Sequence, residues 1–183
     1  LFTYHPVTLD IEKLSEELDQ IFGALEELIF QGYKIIITKS NADQGGRFIN
    51  KYIDNFSSKH KEKVFAFTNL GTLKYLSVMK FVNLVMGNSS SGIVETPSFK
   101  IPTVNIGDRQ KGRVRGNSVI DVNPKKEEII NAVKKAEKMD KNKIFNPYDQ
   151  GDATEKIYGT IKEHLLNNKI NLKKEFFDID FKL

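Results

Sequence analysis

Short apolar runs alternate with amphipathic helical stretches along nearly the whole of this 183-residue chain. That alternation predicts an α/β fold with a Rossmann-like, doubly wound parallel sheet. Three observations carry the prediction. The runs "YKIIIT", "KVFAFT" and "IPTVNIG" are of strand length and rich in β-branched residues, as strands buried on both faces are. The intervening segments repeat their apolar residues at helical steps, and only a crossover helix returns the chain for parallel pairing. Turns rich in Gly, Ser, Asn and Asp follow the strands, where the ligand loops of such sheets gather.

Residues 1 to 4 read as a first buried strand. Ile11, Leu14, Leu18, Ile21, Leu25, Leu28 and Ile29 recur at three- and four-residue steps, so 10 to 30 is an amphipathic helix with Asp10 as N-cap, ended at Gly32. The strand at 33 to 38 follows, then the loop "KSNADQGG" and a helical pattern near 47 to 56. Strand 63 to 68, helix 72 to 80 and the apolar strand run from 81 to 87 come next. Strands at 101 to 107 and 118 to 122 complete a sheet of about five or six strands. Two late helices fit 124 to 139 and 152 to 168.

The composition excludes several classes. With 39% hydrophobic residues, the chain can bury a core and needs no more than one main domain. Lys and Arg number 28 against 24 acidic residues, a net charge of +4 spread without a basic block, so nucleic acid is not an expected partner. Cysteine is absent, which removes disulfides and thiolate-bound metal and suits a cytoplasmic setting. No apolar run approaches the roughly 20 residues that cross a bilayer, so no membrane association is expected. The opening "LFTYHPVT" has no initiator Met and already resembles a buried strand, so the expectation is a piece of a longer chain.

The strand-end loops hold the polar chemistry. In "GNSSSGIVETPSF", 87 to 99, three serines between glycines precede a helical start; hydroxyls and free backbone N–H groups there suit an anion, best a phosphate. Ordinary N-capping by one serine is the structural alternative. Glu95, read as a first-turn acid, could accept both hydroxyls of a ribose or simply answer the helix dipole. Arg109, Lys111 and Arg113 in "GDRQKGR" offer guanidinium forks for phosphate, or a solvated basic loop. His5 before Pro6 can charge or move a proton near such a site, or be a structural strand-end residue. Asn41 and Asp43 read first as turn formers.

Taken together and in order, "HPVT", "SNADQGGR", "GNSSSGIVETPSFKIPTVNIGDRQKGR" and "NPYDQGDATEKI" resemble the carboxyl-terminal half of the UDP-N-acetylglucosamine 2-epimerases, in particular the hydrolysing branch. The resemblance runs over about residues 2 to 165. It implies the GT-B arrangement of two Rossmann-like domains facing a cleft, of which this chain supplies the UDP-binding one, 1–168. Residues 169–183 are then a tail, carrying Phe176, Phe177, Ile179 and Phe181, that packs on the other domain or on a neighbour. Ser89 and Ser90 are implied to bind the diphosphate, Glu95 the ribose and Arg109 the phosphates, with Arg113 in the same loop. Uracil is placed near the backbone of Leu70, Asn41 lines the cleft, and His5 is the catalytic histidine beside the diphosphate. The segment "NPYDQGDAT" is more acidic than the glycine-richer family form.

The resemblance implies loss of the C2 proton and departure of UDP to give a 2-acetamidoglucal, then addition of water to give N-acetylmannosamine, a sugar of sialic-acid biosynthesis. It places the proton-transfer acids in the amino-terminal domain, so the fragment alone is expected to be inactive. UDP-N-acetylglucosamine or UDP, that amino-terminal domain and a second copy of the enzyme are the implied partners; no cofactor or metal is expected. Two rival readings use the same nucleotide site, a GT-B glycosyltransferase and a non-catalytic nucleotide-sugar sensor.

Overall fold

The computed structural model describes residues 1–7, 11–42, 44–149, 151–167 and 173. Asp10, Asp43 and the apolar tail residues Phe176, Phe177, Ile179 and Phe181 lie outside the described residues. The chain divides into two compact units, Leu1–Asp149 and Gln150–Leu183. The sequence division at 168 put the last helix with the larger part, whereas this division groups that helix with the C-terminal stretch.

The first unit is a sheet of six parallel strands, β1 (Phe2–Thr3), β2 (Ile35–Thr38), β3 (Val64–Phe67), β4 (Val85–Gly87), β5 (Thr103–Ile106) and β6 (Val119–Val122). They lie in the order β3-β2-β1-β4-β5-β6. Helices α1 (Ile11–Phe30), α2 (Gln44–Lys59), α3 (Gly71–Met79) and the single turn α4 (Ser91–Val94) lie between successive strands, β5 passes to β6 without a helix, and α5 (Lys126–Glu137) follows β6. Because β1 is central and the chain proceeds outward in both directions from it, the sheet is doubly wound as expected.

Register explains how so few strand residues sort two cores. Pairing aligns Ala66, Ile37, Phe2, Met86, Val104 and Ile120 in one row across all six strands. Side chains alternate between faces, so this row faces one way and packs with α1, α2 and α5. Leu1, Ile36 and Val85, one residue off that row, face the other way and pack with Tyr75, Val78 and Met79 of α3. In α1 the periodic residues Leu14, Leu18, Ile21, Leu25, Leu28 and Ile29 are all buried.

Two boundaries differ from the sequence reading. The run from 81 forms strand only from Val85, and Phe81 is 87% exposed; an apolar run marks burial only where a neighbouring strand reaches it. Helix α2 begins at Gln44 and ends at Lys59, longer at both ends than its apolar periodicity. A 3₁₀ turn at Thr96–Phe99 was not expected from sequence.

The second unit holds α6 (Ala153–Leu166), in which Ile157, Tyr158, Ile161, Leu165 and Leu166 are exposed. Among the described residues no helix is long and apolar enough to cross a membrane.

Candidate functional site

All six strands run parallel, so the loops that follow them emerge on one edge of the sheet. At the centre of that edge stands Asn88, fully buried, immediately after β4. Its backbone N–H donates to Thr3 O, the last main-chain bond between β4 and β1. Its side chain then continues the ladder: Oδ1 accepts from the His5 N–H at 2.7 Å, and Nδ2 donates to His5 O at 2.8 Å. The Asn88 carbonyl accepts from Arg109 Nη1 at 3.0 Å and Gln110 Nε2 at 2.8 Å. One asparagine therefore ties the ends of β1 and β4 to the loop after β5.

A second asparagine does the same one strand over. Asn50 of α2 accepts from the Ser40 N–H at 2.9 Å and donates to Ser40 O at 3.2 Å. Ser40 Oγ in turn lies 3.2 Å from His5 Nδ1. His5 is thus held through its backbone by Asn88 and met at its ring by Ser40, in a half-buried position. Asn41 follows Ser40 and is exposed.

The serine turn departs from simple capping. Ser90 is the N-cap residue of α4 but makes no side-chain cap bond, and Ser89 Oγ accepts from the Ser91 N–H only at a long 3.4 Å. With four residues, α4 sums few peptide dipoles, so the helix-dipole argument for an anion loses weight here; the clustered hydroxyls and N–H groups retain theirs. Glu95 lies just past the end of α4, not in its first turn. Ser91 Oγ donates to its Oε2 at 2.5 Å, and the Tyr75 hydroxyl donates to Ser91 Oγ at 2.9 Å.

The flanking glycines answer to backbone packing. Gly87 has φ +119, and a Cβ there would lie 1.9 Å from Thr3 O; only glycine lets β4 approach β1 at this point. At Gly92 a Cβ would stand 2.7 Å from Thr103 Cγ2, so α4 packs against β5 because this side chain is missing. Both glycines are thus required by the close approach of neighbouring elements.

The remaining expected residues are placed as follows. Leu70 is the N-cap residue of α3, and α3 delivers Tyr75 to Ser91. Arg113 is exposed beyond Gly112, and among the described residues no hydrogen bond joins its side chain to the cluster. Sequence reasoning missed Ser40, Asn50, Asn88, Tyr75 and Gln110. The signal for Asn88 was present in "GNSSSG": an amide between a strand-end glycine and a turn can replace a missing ladder partner. Among the described residues no group of three or more His, Asp or Glu is arranged to hold a metal ion.

Comparisons with known proteins bear on the family and the fold. The family model described as UDP-N-acetylglucosamine 2-epimerase matches residues 1–162. The GDP/UDP-N,N'-diacetylbacillosamine 2-epimerase (hydrolyzing) of Campylobacter jejuni is 46% identical over 121 residues, 66% of this chain and 31% of that protein. The polysialic acid biosynthesis protein P7 of Escherichia coli is 33% identical over 180 residues, 96% of this chain and 45% of that protein. In fold, the chain matches a UDP-GlcNAc 2-epimerase of Methanocaldococcus jannaschii, solved in complex with UDP-GlcNAc and UDP. The TM-score is 0.70 at 21% identity, over 88% of this chain and 44% of that one. The chain spans less than half the length of each of these relatives. With a family model covering its first 162 residues, the chain belongs to the UDP-N-acetylglucosamine 2-epimerase family.

Proposed function

We propose that this chain is the UDP-binding half of a hydrolysing UDP-N-acetylglucosamine 2-epimerase. The observation that carries the reading is the corner built on Asn88, where His5, the serine turn and Arg109 meet on the carboxyl edge of the sheet. In it, Ser89, Ser90, Arg109 and Arg113 bind the diphosphate, Glu95 the ribose, Leu70 the uracil, and Asn41 lines the cleft. In the reaction, a base takes the C2 proton while the C1–O bond to UDP breaks, giving 2-acetamidoglucal. Water then returns a proton to C2 and a hydroxyl to C1, giving N-acetylmannosamine. His5 supports the negative charge that grows on the departing diphosphate. The amino-terminal domain of the same cytoplasmic, oligomeric enzyme supplies the proton-transfer acids, so this half alone binds UDP and turns nothing over.

The test is thermal protection. UDP at about 100 times its Kd should add about 2.7 kcal/mol of stability, and ADP much less; equal protection by both removes the uridine assignment. In a form spanning the full length of the relatives, His5→Ala should lower kcat by roughly 10²-fold or more while UDP affinity changes only a few-fold. A stable mutant with near-normal kcat ends the catalytic role of His5.

A further inference from the structure

Glu95 is exposed, and an exposed carboxylate on a flexible stem ordinarily samples several rotamers at an entropic cost to any contact it makes. Here a chain of hydroxyls limits it. Ser91, one turn earlier, donates to Glu95 Oε2 at 2.5 Å, and Tyr75 donates to Ser91 Oγ at 2.9 Å. The direction of the chain is forced from its end. An ionised carboxylate only accepts, so the one hydrogen of Ser91 goes to Glu95 and Tyr75 must supply the bond to Ser91. The Tyr75 hydroxyl is pushed above its ordinary value, chiefly by burial, so it is a donor throughout the neutral range. Its ring packs with Leu1, Met79 and Val85, which roots the chain in a core. Oε1 of Glu95 takes no part in the Ser91 bond and is available as an acceptor.

We propose that Tyr75 and Ser91 are positioning residues that hold the Glu95 carboxylate in the orientation that accepts the vicinal diol of the nucleotide ribose, a role that rests on the UDP-binding reading of this corner. Preorganisation of this kind raises affinity by removing an ordering cost on binding. It also ties the recognition of ribose to two residues that need not touch the nucleotide.

The experiment measures, by calorimetry, the affinity of the chain and of Ser91→Ala, Ser91→Thr and Tyr75→Phe for UDP and for 2′,3′-dideoxy-UDP. The unmodified chain should prefer UDP by about 10-fold or more, the scale of hydrogen bonds to a charged group. Ser91→Ala should shrink that preference about 3- to 10-fold and Tyr75→Phe about 2- to 3-fold, with dideoxy-UDP affinity held within about twofold. Ser91→Thr, which keeps the hydroxyl, should restore it. Any effect of Ser91 on the neighbouring diphosphate site falls on both ligands and cancels in the ratio. A purely structural role would weaken both ligands together; an unchanged ratio in Ser91→Ala and Tyr75→Phe overturns the proposal, as does a starting preference near one. Absence of UDP binding by the unmodified chain is a separate outcome, which removes the UDP reading and the proposal with it. Should Ser91→Ala unfold, Tyr75→Phe, which keeps the ring in its core, gives the same readout.

Discussion

The turn after β4 and the loop after β5 both looked suited to an anion, and the structure treats them oppositely. In the first, Asn88 spends both ends of its amide and its carbonyl on four bonds that join three segments. In the second, Arg109, Lys111 and Arg113 are all exposed, and Arg109 alone of the three is bonded to the Asn88 hub among the described residues. In the first region the polar groups of Asn88 are satisfied inside the protein, and the second has its charge placed mainly in solvent. Charge count thus says little about a site. Attachment to a fixed neighbour decides which cation has a defined position when a ligand arrives.

The largest effect should come from breaking the bonded side of this comparison. Asn88→Ala leaves the His5 N–H and C=O without their side-chain partners in a half-buried place, while the main-chain carbonyl that holds Arg109 and Gln110 remains. The expected loss is about 2–4 kcal/mol, a fall in Tm of roughly 5–15 °C for a chain of this size. Denaturant or thermal unfolding measures it. A variant as stable as the parent would show that the asparagine bonds follow from the fold instead of holding it.

Arg109 against Arg113 sharpens the same comparison on the exposed side. Arg109→Ala should weaken UDP about 10-fold, the scale of a charge-assisted contact, and Arg113→Ala only about 2- to 3-fold. Uridine, which has no phosphate, should change little in either variant. Equal losses for the two arginines would mean that the Asn88 bond does not select the phosphate-binding cation, and similar losses for uridine would move Arg109 out of the phosphate site.

What was legible in the sequence follows the same division. Periodicity revealed the helices and the β-branched runs the strands, because both patterns are local and repeat along the chain; α1 is the clearest example, its apolar residues buried as spaced. The corner itself was legible as a set of loops, since parallel strands must send their ends to one edge. The bonds within it were not. Asn88 and His5 stand 83 positions apart, and Asn50 of α2 reaches back to Ser40 in the preceding loop; the local pattern offers an amide at a strand end but does not say whose ladder it will complete. Phe81 failed for the converse reason: its apolar run was read as strand, yet β4 pairs with β1 and β5 only from Val85 on, and Phe81, four residues earlier, is in solvent.

The smallest effect concerns the tyrosines that flank the sheet at its two ends, and it appears only at high pH. Tyr4, 1% exposed and next to His5, has its hydroxyl pushed well above the ordinary tyrosine value, first by burial and then by Glu17, whose Oε2 accepts its bond at 3.3 Å. Tyr33, toward the amino end of β2, is pushed up to about 12 by burial and its bond to Glu137. A folded-state pKa raised above the unfolded one gives stability that is whole below the unfolded value, about 10, and is lost as pH rises through the folded value. Both tyrosines therefore favour unfolding only above about pH 10. Near pH 7, Tyr4→Phe should change stability by no more than about 1 kcal/mol, the worth of one long hydrogen bond. Above pH 10 the parent should lose stability faster than Tyr4→Phe, because the phenylalanine has no proton to give up. Tyr33→Phe should show a smaller difference, since Tyr33 is only half-buried and its exposed carboxylate partner Glu137 is screened. Denaturant midpoints for the three proteins between pH 7 and 11 make the comparison, with the lysines titrating alike in all of them. Parallel curves for the parent and Tyr4→Phe would mean that the Tyr4 hydroxyl reaches solvent in the folded state, and the carboxyl edge would then be less closed around His5 than its buried neighbours make it.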